Sequence, residues 1–405
     1  MTTPIPVRHN IPAHVPPELV LPIGLVEGPE FLKAPHAFMA SLHQTHPPVF
    51  FSPSEYGPDV WTLIKHEDCF HVLRHPEIFT SKTSTPFPRD PDNYFPMVPV
   101  EIDPPDHRKY RAILEPMLTP AAIGKLEVKI RKLANDLIDE FIGDGMCEFT
   151  TAFGRPLPVS VFLDLMGLPQ DMRDTFVSWA MGLLHSQNQA EMQRAMDDTC
   201  AYLQKVIEEK TRNPDDKAVS AIVHGRAAGN PLTAPEIFGF VFFLFIAGLD
   251  TVFATLNNIF AWFADNPERR HEIISNPQNI NNATEELLRV FSVTFSGRSL
   301  TRDYELRGVK MKMGDRVTTV LPAANYDPDV FENPSEVDFN RVRKPNLAFA
   351  GGVHSCMGAH LARMETKICI EEFLRRIPDF RLKAGTKLEY LPGGVVGPKV
   401  VPLQW

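Results

Sequence analysis

Apolar residues recur at helical spacing over most of this chain and alternate at strand spacing over only a few short runs. Leu126, Ile130, Leu133, Leu137 and Phe141 stand three or four apart, which places them on one face of a helix. Thr119 offers its N-cap, Pro120 its first position and Gly143 its stop. Further helices are predicted around Val159–Met166, Gln189–Lys210, Ala234–Ala264, Ile280–Val290 and Cys356–Arg376. Val49–Phe51 and Val60–Ile64 read as a hairpin across a Ser-Pro-Ser-Glu-Tyr-Gly-Pro turn. Tyr304–Leu306, Val309–Met313 and Arg316–Val320 read as small hairpins punctuated by Arg-Gly and Gly-Asp turns. The pattern predicts a mainly α protein with a minor β part. Without an internal repeat or linker, it is expected to be one domain over 1–405 that begins with a Pro-rich arm over 1–20.

Composition narrows the function. With 405 residues, 43% hydrophobic and 22% charged, the chain can bury a sizeable core and is neither disordered nor fibrous. A formal net charge of -9 argues against a general nucleic-acid binder, which needs a basic face. Five cysteines, an odd number without a C-x-x-C pair, indicate neither a disulfide framework nor a zinc ribbon and fit a reducing, cytoplasmic setting. The N-terminus lacks a charged-then-apolar signal pattern. The longest apolar run, Ile237 to Leu249, is short for a membrane span and leads into Asp250 and Thr251, so a buried helix and no membrane are expected. His66, Cys69, His71 and His75 could be written as a zinc site, but no second ligand pair follows, and Phe70, Val72 and Leu73 give that segment the apolar side of a short helix.

Phe349-Ala-Gly-Gly-Val-His-Ser-Cys-Met-Gly358 sets one cysteine in a glycine-rich loop just before the helix expected over Ala359–Arg376. A lone free cysteine is commonly an inert core residue. Here the glycines would let backbone approach a flat ligand, and the helix would aim N–H groups and its dipole at the sulfur, favouring the thiolate that binds iron. Phe349 could shield the sulfur from water, and His354 could hydrogen-bond a carboxylate on the ligand's rim. The string resembles the haem-binding signature of the cytochrome P-450 family, F-x-x-G-x-x-x-C-x-G, at Phe349, Gly352, Cys356 and Gly358. Ala350 stands where many members carry Gly.

That resemblance gives meaning to weaker signals. Glu286 and Arg289, at i and i+3 on a helix and 70 residues before Cys356, are similar to the family's E-x-x-R motif. The resemblance implies that with Arg341 they lock the scaffold behind the haem. Ala247-Gly248-Leu249-Asp250-Thr251 interrupts the most apolar helix with small residues, an acid and a hydroxyl. A threonine there can bond back to a carbonyl and open the helical ladder. The string resembles the family's A-G-x-D/E-T oxygen-activating motif, which implies that Asp250 and Thr251 are catalytic proton carriers and that Gly248 makes room beside the cofactor. By the same resemblance Cys356 is the axial ligand of haem b (iron protoporphyrin IX), and His107, Arg111, Arg298 and His354 hold its carboxylates. The implied fold is the family's triangular helical prism enclosing haem.

The likeness runs over essentially the whole chain. It is nearest to the bacterial camphor-hydroxylase branch, through Gly248-Leu-Asp-Thr-Val252, Arg376-Ile-Pro-Asp-Phe380 and Pro402-Leu-Gln-Trp405. It implies a substrate pocket of Phe87, Tyr94 or Phe95, Phe243, Ile246, Thr294, Phe295, Val395 and Val396, mostly apolar and suited to a compact terpenoid such as camphor, 1,8-cineole or an ionone. That branch often has an Asp near position 296, where this chain has Ser296. Dioxygen is the co-substrate. Electrons are expected from a [2Fe-2S] ferredoxin and its reductase, with Arg108, Lys109, Arg111, Arg343, Lys344 and Arg363 as a local basic face on a monomeric acidic protein. Three alternatives stay open: a peroxide-using haem-thiolate enzyme, a non-catalytic haem sensor or ligand carrier, and a cofactor-free helical binding protein.

Overall fold

A computed structural model describes residues 11–54, 59–82 and 94–405 of the chain. Its elements follow the sequence pattern closely, with helices at Pro156–Met166, Gln189–Arg212, Ala234–Asp265, Ile280–Val290 and Ala359–Arg376. The helix expected from Thr119 is two. Thr119 Oγ1 accepts from the Ala122 amide to cap Pro120–Gly124, and a second helix runs over Glu127–Asp139. Gly124, which costs a helix interior about 1 kcal/mol, lies at the break, where the Lys125 amide donates to Ala122 O three residues back. The second helix ends before the expected stop, since Gly143 lies in the 3-10 turn Ile142–Asp144. Ile130, Leu137 and Phe141 are buried as the spacing predicts.

Val49–Ser52 and Val60–Leu63 pair antiparallel, with Val49 opposite Leu63, as the edge of a five-stranded sheet. Arg316–Thr319 does not join the neighbouring hairpin of Tyr304–Leu306 with Val309–Met311. It inserts into the main sheet, parallel to Val60–Leu63 and antiparallel to Ser296–Leu300, whose other side carries Phe79–Thr80. Two contacts explain the detour. Val317 is buried in the cluster of Trp61, Leu63 and Phe79, and Asp315 at the strand's start accepts from Trp61 Nε1 at 2.9 Å.

The Ala234–Asp265 helix is the axis of the molecule. A Thr233–Glu236 capping box starts it. Its first half, from Phe240 to Leu249, is buried among Val159, Leu163, Phe176 and Leu203. Its second half, from Ala254 to Ala264, is buried with Phe149, Phe153, Phe373 and Phe380, where Phe149 and Phe260 stack at 4.3 Å. The sequence judged its apolar run short, yet by length and apolarity alone this helix could cross a membrane. The apolar pattern resumes beyond Asp250 and Thr251, and both halves are spent on the protein's own core. Between the halves, Gly248, Thr251 and Val252 face a cavity.

Candidate active site

The cavity holds about 340 Å³ and lies between the middle of the central helix and the loop that ends in Cys356. On a 3.6-residue period, Phe243, Leu244, Ala247, Gly248, Thr251, Val252 and Thr255 share one face and line it. Thr251 Oγ1 donates to Ala247 O at 3.2 Å, the local back-bond expected from the sequence. Gly248 has a second duty: a Cβ there would meet the Phe162 ring at 2.2 Å.

Opposite, Phe349, Ala350, His354, Cys356 and Gly358 line the same cavity. The loop is closed by the Cys356 amide donating to Phe349 O at 3.0 Å and by Arg111 Nη1 donating to Ser355 O at 2.7 Å. Of its glycines only Gly358 lines the cavity as expected; Gly351 and Gly352 do not. Gly352, at φ +68°, would drive a Cβ to 2.1 Å from Leu73 O, and Gly351 abuts the Phe70 ring, so both let the loop pack on the His66–Arg74 helix. Ala350 takes φ +56° without a glycine's freedom. Cys356 is an exposed residue that lines the cavity. Burial raises its pKa. The amides of Gly358 and Ala359 and the charges of Arg111 and Arg363 pull the other way without overcoming burial, so the helix terminus alone does not make a thiolate.

His107 and Arg111 line the cavity on one helix, His107–Leu118. The His107 and His354 rings meet at 4.3 Å. Burial, helped by His354 and Arg111, drives the His107 pKa down to about 4. His354 Nε2 lies 3.1 Å from Ser81 Oγ and 3.8 Å from Asp103 Oδ1. Arg298 is 4% exposed and lies outside the cavity's lining. It donates to Ser296 Oγ at 2.8 Å and Gly297 O at 2.6 Å, and burial lowers its pKa to about 10 with Asp103 as the opposing charge. A buried guanidinium and two imidazoles beside an apolar cavity suit a ligand that is flat, apolar and edged with carboxylates.

The expected substrate wall is only partly assembled. Phe243 and Thr294 line the cavity. Ile246 points to the other side of its helix, buried in the Phe240–Leu249 core. Val395 and Val396 sit in the opposite core, where the Val396 amide donates to Val293 O at 2.9 Å, and Phe295 packs against that core. Phe95 packs on Phe238 and Phe242, while Tyr94 is 49% exposed. Phe87 lies outside the described residues. The apolar wall also takes in Phe162, Phe291 and Val293.

Behind the cavity, Arg289 closes a fork on Glu286 at 2.7 and 2.9 Å, and Arg341 Nε adds a bond to Glu286 Oε1 at 2.9 Å. Of the zinc-like set, Cys69 Sγ donates to Leu63 O, and His71 pairs with the Tyr304 hydroxyl at 2.8 Å. Asp250 does not face the cavity; its Oδ2 lies 2.9 Å from His185 Nε2. Nothing in the sequence joins two residues 65 apart. Glu365, also unanticipated, reaches the cavity wall from a buried position, and burial raises its pKa well above the usual range. Its spacing four after Leu361 on the same helix was the available signal.

A family model of cytochrome P450 matches residues 171–390. The probable cytochrome P450 127A1 of Sinorhizobium fredii (strain NGR234) is 34% identical over 98% of this chain and 97% of its own. The chain belongs to the cytochrome P450 family. This P450 is an oxidoreductase, a monooxygenase whose cofactor is haem b. The crystal structure of CYP101J2 superposes with a TM-score of 0.85 at 29% identity, covering 97% of this chain and 99% of that one. That of CYP109E1 from Bacillus megaterium, solved with testosterone, gives 0.84 at 27%, covering 93% and 99%. The mycinamicin IV hydroxylase/epoxidase of Micromonospora griseorubida is 30% identical over 90% of this chain and 94% of its own.

Proposed function

We propose that this P450 hydroxylates a small, largely apolar terpenoid of the camphor, 1,8-cineole or ionone type, and that the Cys356 sulfur would hold the haem iron. The observation that carries the reading is one cavity with Cys356 on one wall and Ala247, Gly248 and Thr251 on the other. The balance is one C–H bond, one dioxygen, two electrons and two protons converted to one alcohol and one water. Haem supplies the oxygen and electron chemistry. The Gly358 and Ala359 amides, Arg111 and Arg363 favour the Cys356 thiolate, the form in which a thiol would hold iron.

The chain's residues then bind, exclude water and move protons. Phe162, Phe243, Phe291 and Val293 offer bulk, and Thr294 a single hydroxyl, so the substrate is held by shape with at most one hydrogen bond. His107, Arg111, Arg298 and His354 would hold the cofactor's carboxylates, and Phe349 would cover the sulfur. Asp250 and Thr251 would supply protons. A [2Fe-2S] ferredoxin served by its reductase would dock on the basic face, where Arg108 is exposed and Arg343 donates to Asn282 Oδ1. Arg363 contributes less charge because Glu285 lies 2.5 Å away. The reading includes a single-domain, monomeric protein in the cytoplasm.

Family membership leaves the substrate open, since relatives are named for a mycinamicin and a structure holds testosterone. The test is spectral titration of the ferric protein with camphor, 1,8-cineole, an ionone and testosterone. A low-to-high-spin shift with a terpenoid, followed by a singly oxygenated product, is expected. A shift with testosterone alone overturns the substrate class, and a shift without product returns the chain to a haem carrier.

A further inference from the structure

The His185–Asp250 contact fixes a proton. His185 Nδ1 lies 2.7 Å from Pro392 O. A carbonyl only accepts, so Nδ1 must carry hydrogen. Nε2 then faces Asp250 Oδ2 at 2.9 Å. One proton must lie between them, either as imidazolium with carboxylate or as imidazole with carboxylic acid. Both side chains are buried, at 4% and 2% exposure. The other oxygen, Asp250 Oδ1, has no hydrogen-bond partner, and Thr251, the next residue, opens onto the cavity.

On its far side His185 borders an open surface crevice lined by Ser178, Ser186, Gln187, Asn188 and Glu191. Ser186 Oγ donates to Glu191 Oε2 at 2.8 Å. The Pro392 carbonyl lies at the Nδ1 edge of the ring, and the next residue, Gly393, at φ +113°, sits where a Cβ would meet Leu184 O at 2.3 Å. The pair therefore bridges solvent and the central helix.

We propose that His185 is the proton donor that recharges Asp250, taking protons from water in the Ser178–Glu191 crevice and passing them toward Thr251. The proposal rests on the reading that Asp250 and Thr251 supply the reaction's protons. In the transfer the Nε2–H bond breaks and an O–H bond forms on Asp250 Oδ2. A turn of the carboxyl group presents that proton on the side of the free oxygen. The neutral ring is reloaded by water when it swings out of its Pro392 contact. Three charges govern the donor. Burial disfavours the imidazolium, Asp250 more than offsets burial, and Arg155 opposes it, so the His185 pKa lies above the ordinary histidine value. Arg155 is itself half a neighbour of Asp250, stacked 4.7 Å over Phe253 and balanced by Glu148 and Asp174. Glu191 is the charge within the crevice.

Two measurements decide it. In the first, ¹⁵N-histidine NMR follows His185 in the diamagnetic ferrous carbon-monoxide form. The imidazolium should persist above pH 6.5 and lose that stability in Asp250→Asn; a ring that is neutral at pH 6.5 in both proteins overturns the proposal. In the second, product formed per electron pair is compared for wild type, His185→Gln and His185→Arg, at unchanged haem content and substrate spin shift. Glutamine and arginine can each hydrogen-bond Asp250, but neither yields a proton near neutral pH. Both should lower coupling about tenfold or more, and the wild type's fall in coupling as pH rises through the His185 pKa should vanish in them. If His185→Arg couples as wild type does, His185 only positions Asp250 and the proposal fails. If Asp250→Asn is also fully coupled, the reading of Asp250 and Thr251 fails with it.

Discussion

Two buried ion clusters in this P450 use similar groups to opposite ends. Glu286, Arg289 and Arg341 form a closed network. Both Glu286 oxygens are taken, its Oε1 also accepts from the Asp338 amide, and Arg289 spends its remaining hydrogens on the carbonyls of Asn325, Pro334 and Glu336. Burial opposes the Glu286 charge, but its two arginines hold its pKa below the usual carboxylate range. His185, Asp250 and Arg155 form an open one. Asp250 Oδ1 and Arg155 Nε have no partner, and one member is a histidine that can lose its proton. A closed network fixes a scaffold, whereas an open one costs stability and keeps a site where a proton can be received.

The largest effect should come from breaking the closed network. Arg289→Ala strands the Glu286 carboxylate and should cost about 3–5 kcal/mol in denaturant unfolding. A loss below about 1 kcal/mol would put that cluster in the class of surface pairs. His36 marks the other extreme, a buried ring set beside the neutral Asn258 side chain, whose hydrogen bond does not offset its burial. Burial lowers its pKa to about 4. The unfolded chain then takes up its proton first, so stability should fall as pH drops from 6.5 toward 4, by up to about 3 kcal/mol. His36→Phe should remove that part of the acid sensitivity; unchanged pH dependence of unfolding would deny the neutral ring. Asp250→Asn leaves the fold intact but should lower product formation per electron consumed by about 10²-fold, with stability unchanged or raised. A stability loss as large as that of Arg289→Ala would make both clusters structural. The smallest effect lies outside both. Ala350→Gly relieves the left-handed residue beside Gly351 and should stabilise the protein by about 1 kcal/mol, read as a higher thermal midpoint with an unaltered haem spectrum.

The closed cluster was legible because its partners lie three apart on one helix and the motif has a fixed place before Cys356. The open cluster was half legible. Asp250 and Thr251 stand out as polar breaks in an apolar run, but His185 enters from a helix 65 residues away and leaves no local sign. Periodicity likewise predicted the central helix but not which face meets the cavity; of the two residues the resemblance assigned to the pocket there, Phe243 lines this cavity and Ile246 is buried in the core beside it. Gly351 and Gly352 of the Cys356 loop were read as room for a ligand because their close neighbours, Phe70 and Leu73, lie far earlier in the chain, whereas Gly358 does line the cavity. The strand Arg316–Thr319 was assigned to the wrong sheet for the same reason: its Trp61 contact is long-range.

The central claim is that the Cys356 sulfur binds the haem iron. The direct measurement is the absorption spectrum of the dithionite-reduced protein under carbon monoxide, for wild type and Cys356→Ser. Thiolate ligation predicts a strongly red-shifted Soret band in wild type that is lost in the folded, haem-loaded mutant. A wild-type spectrum without that band, or a mutant that keeps it, would contradict the account.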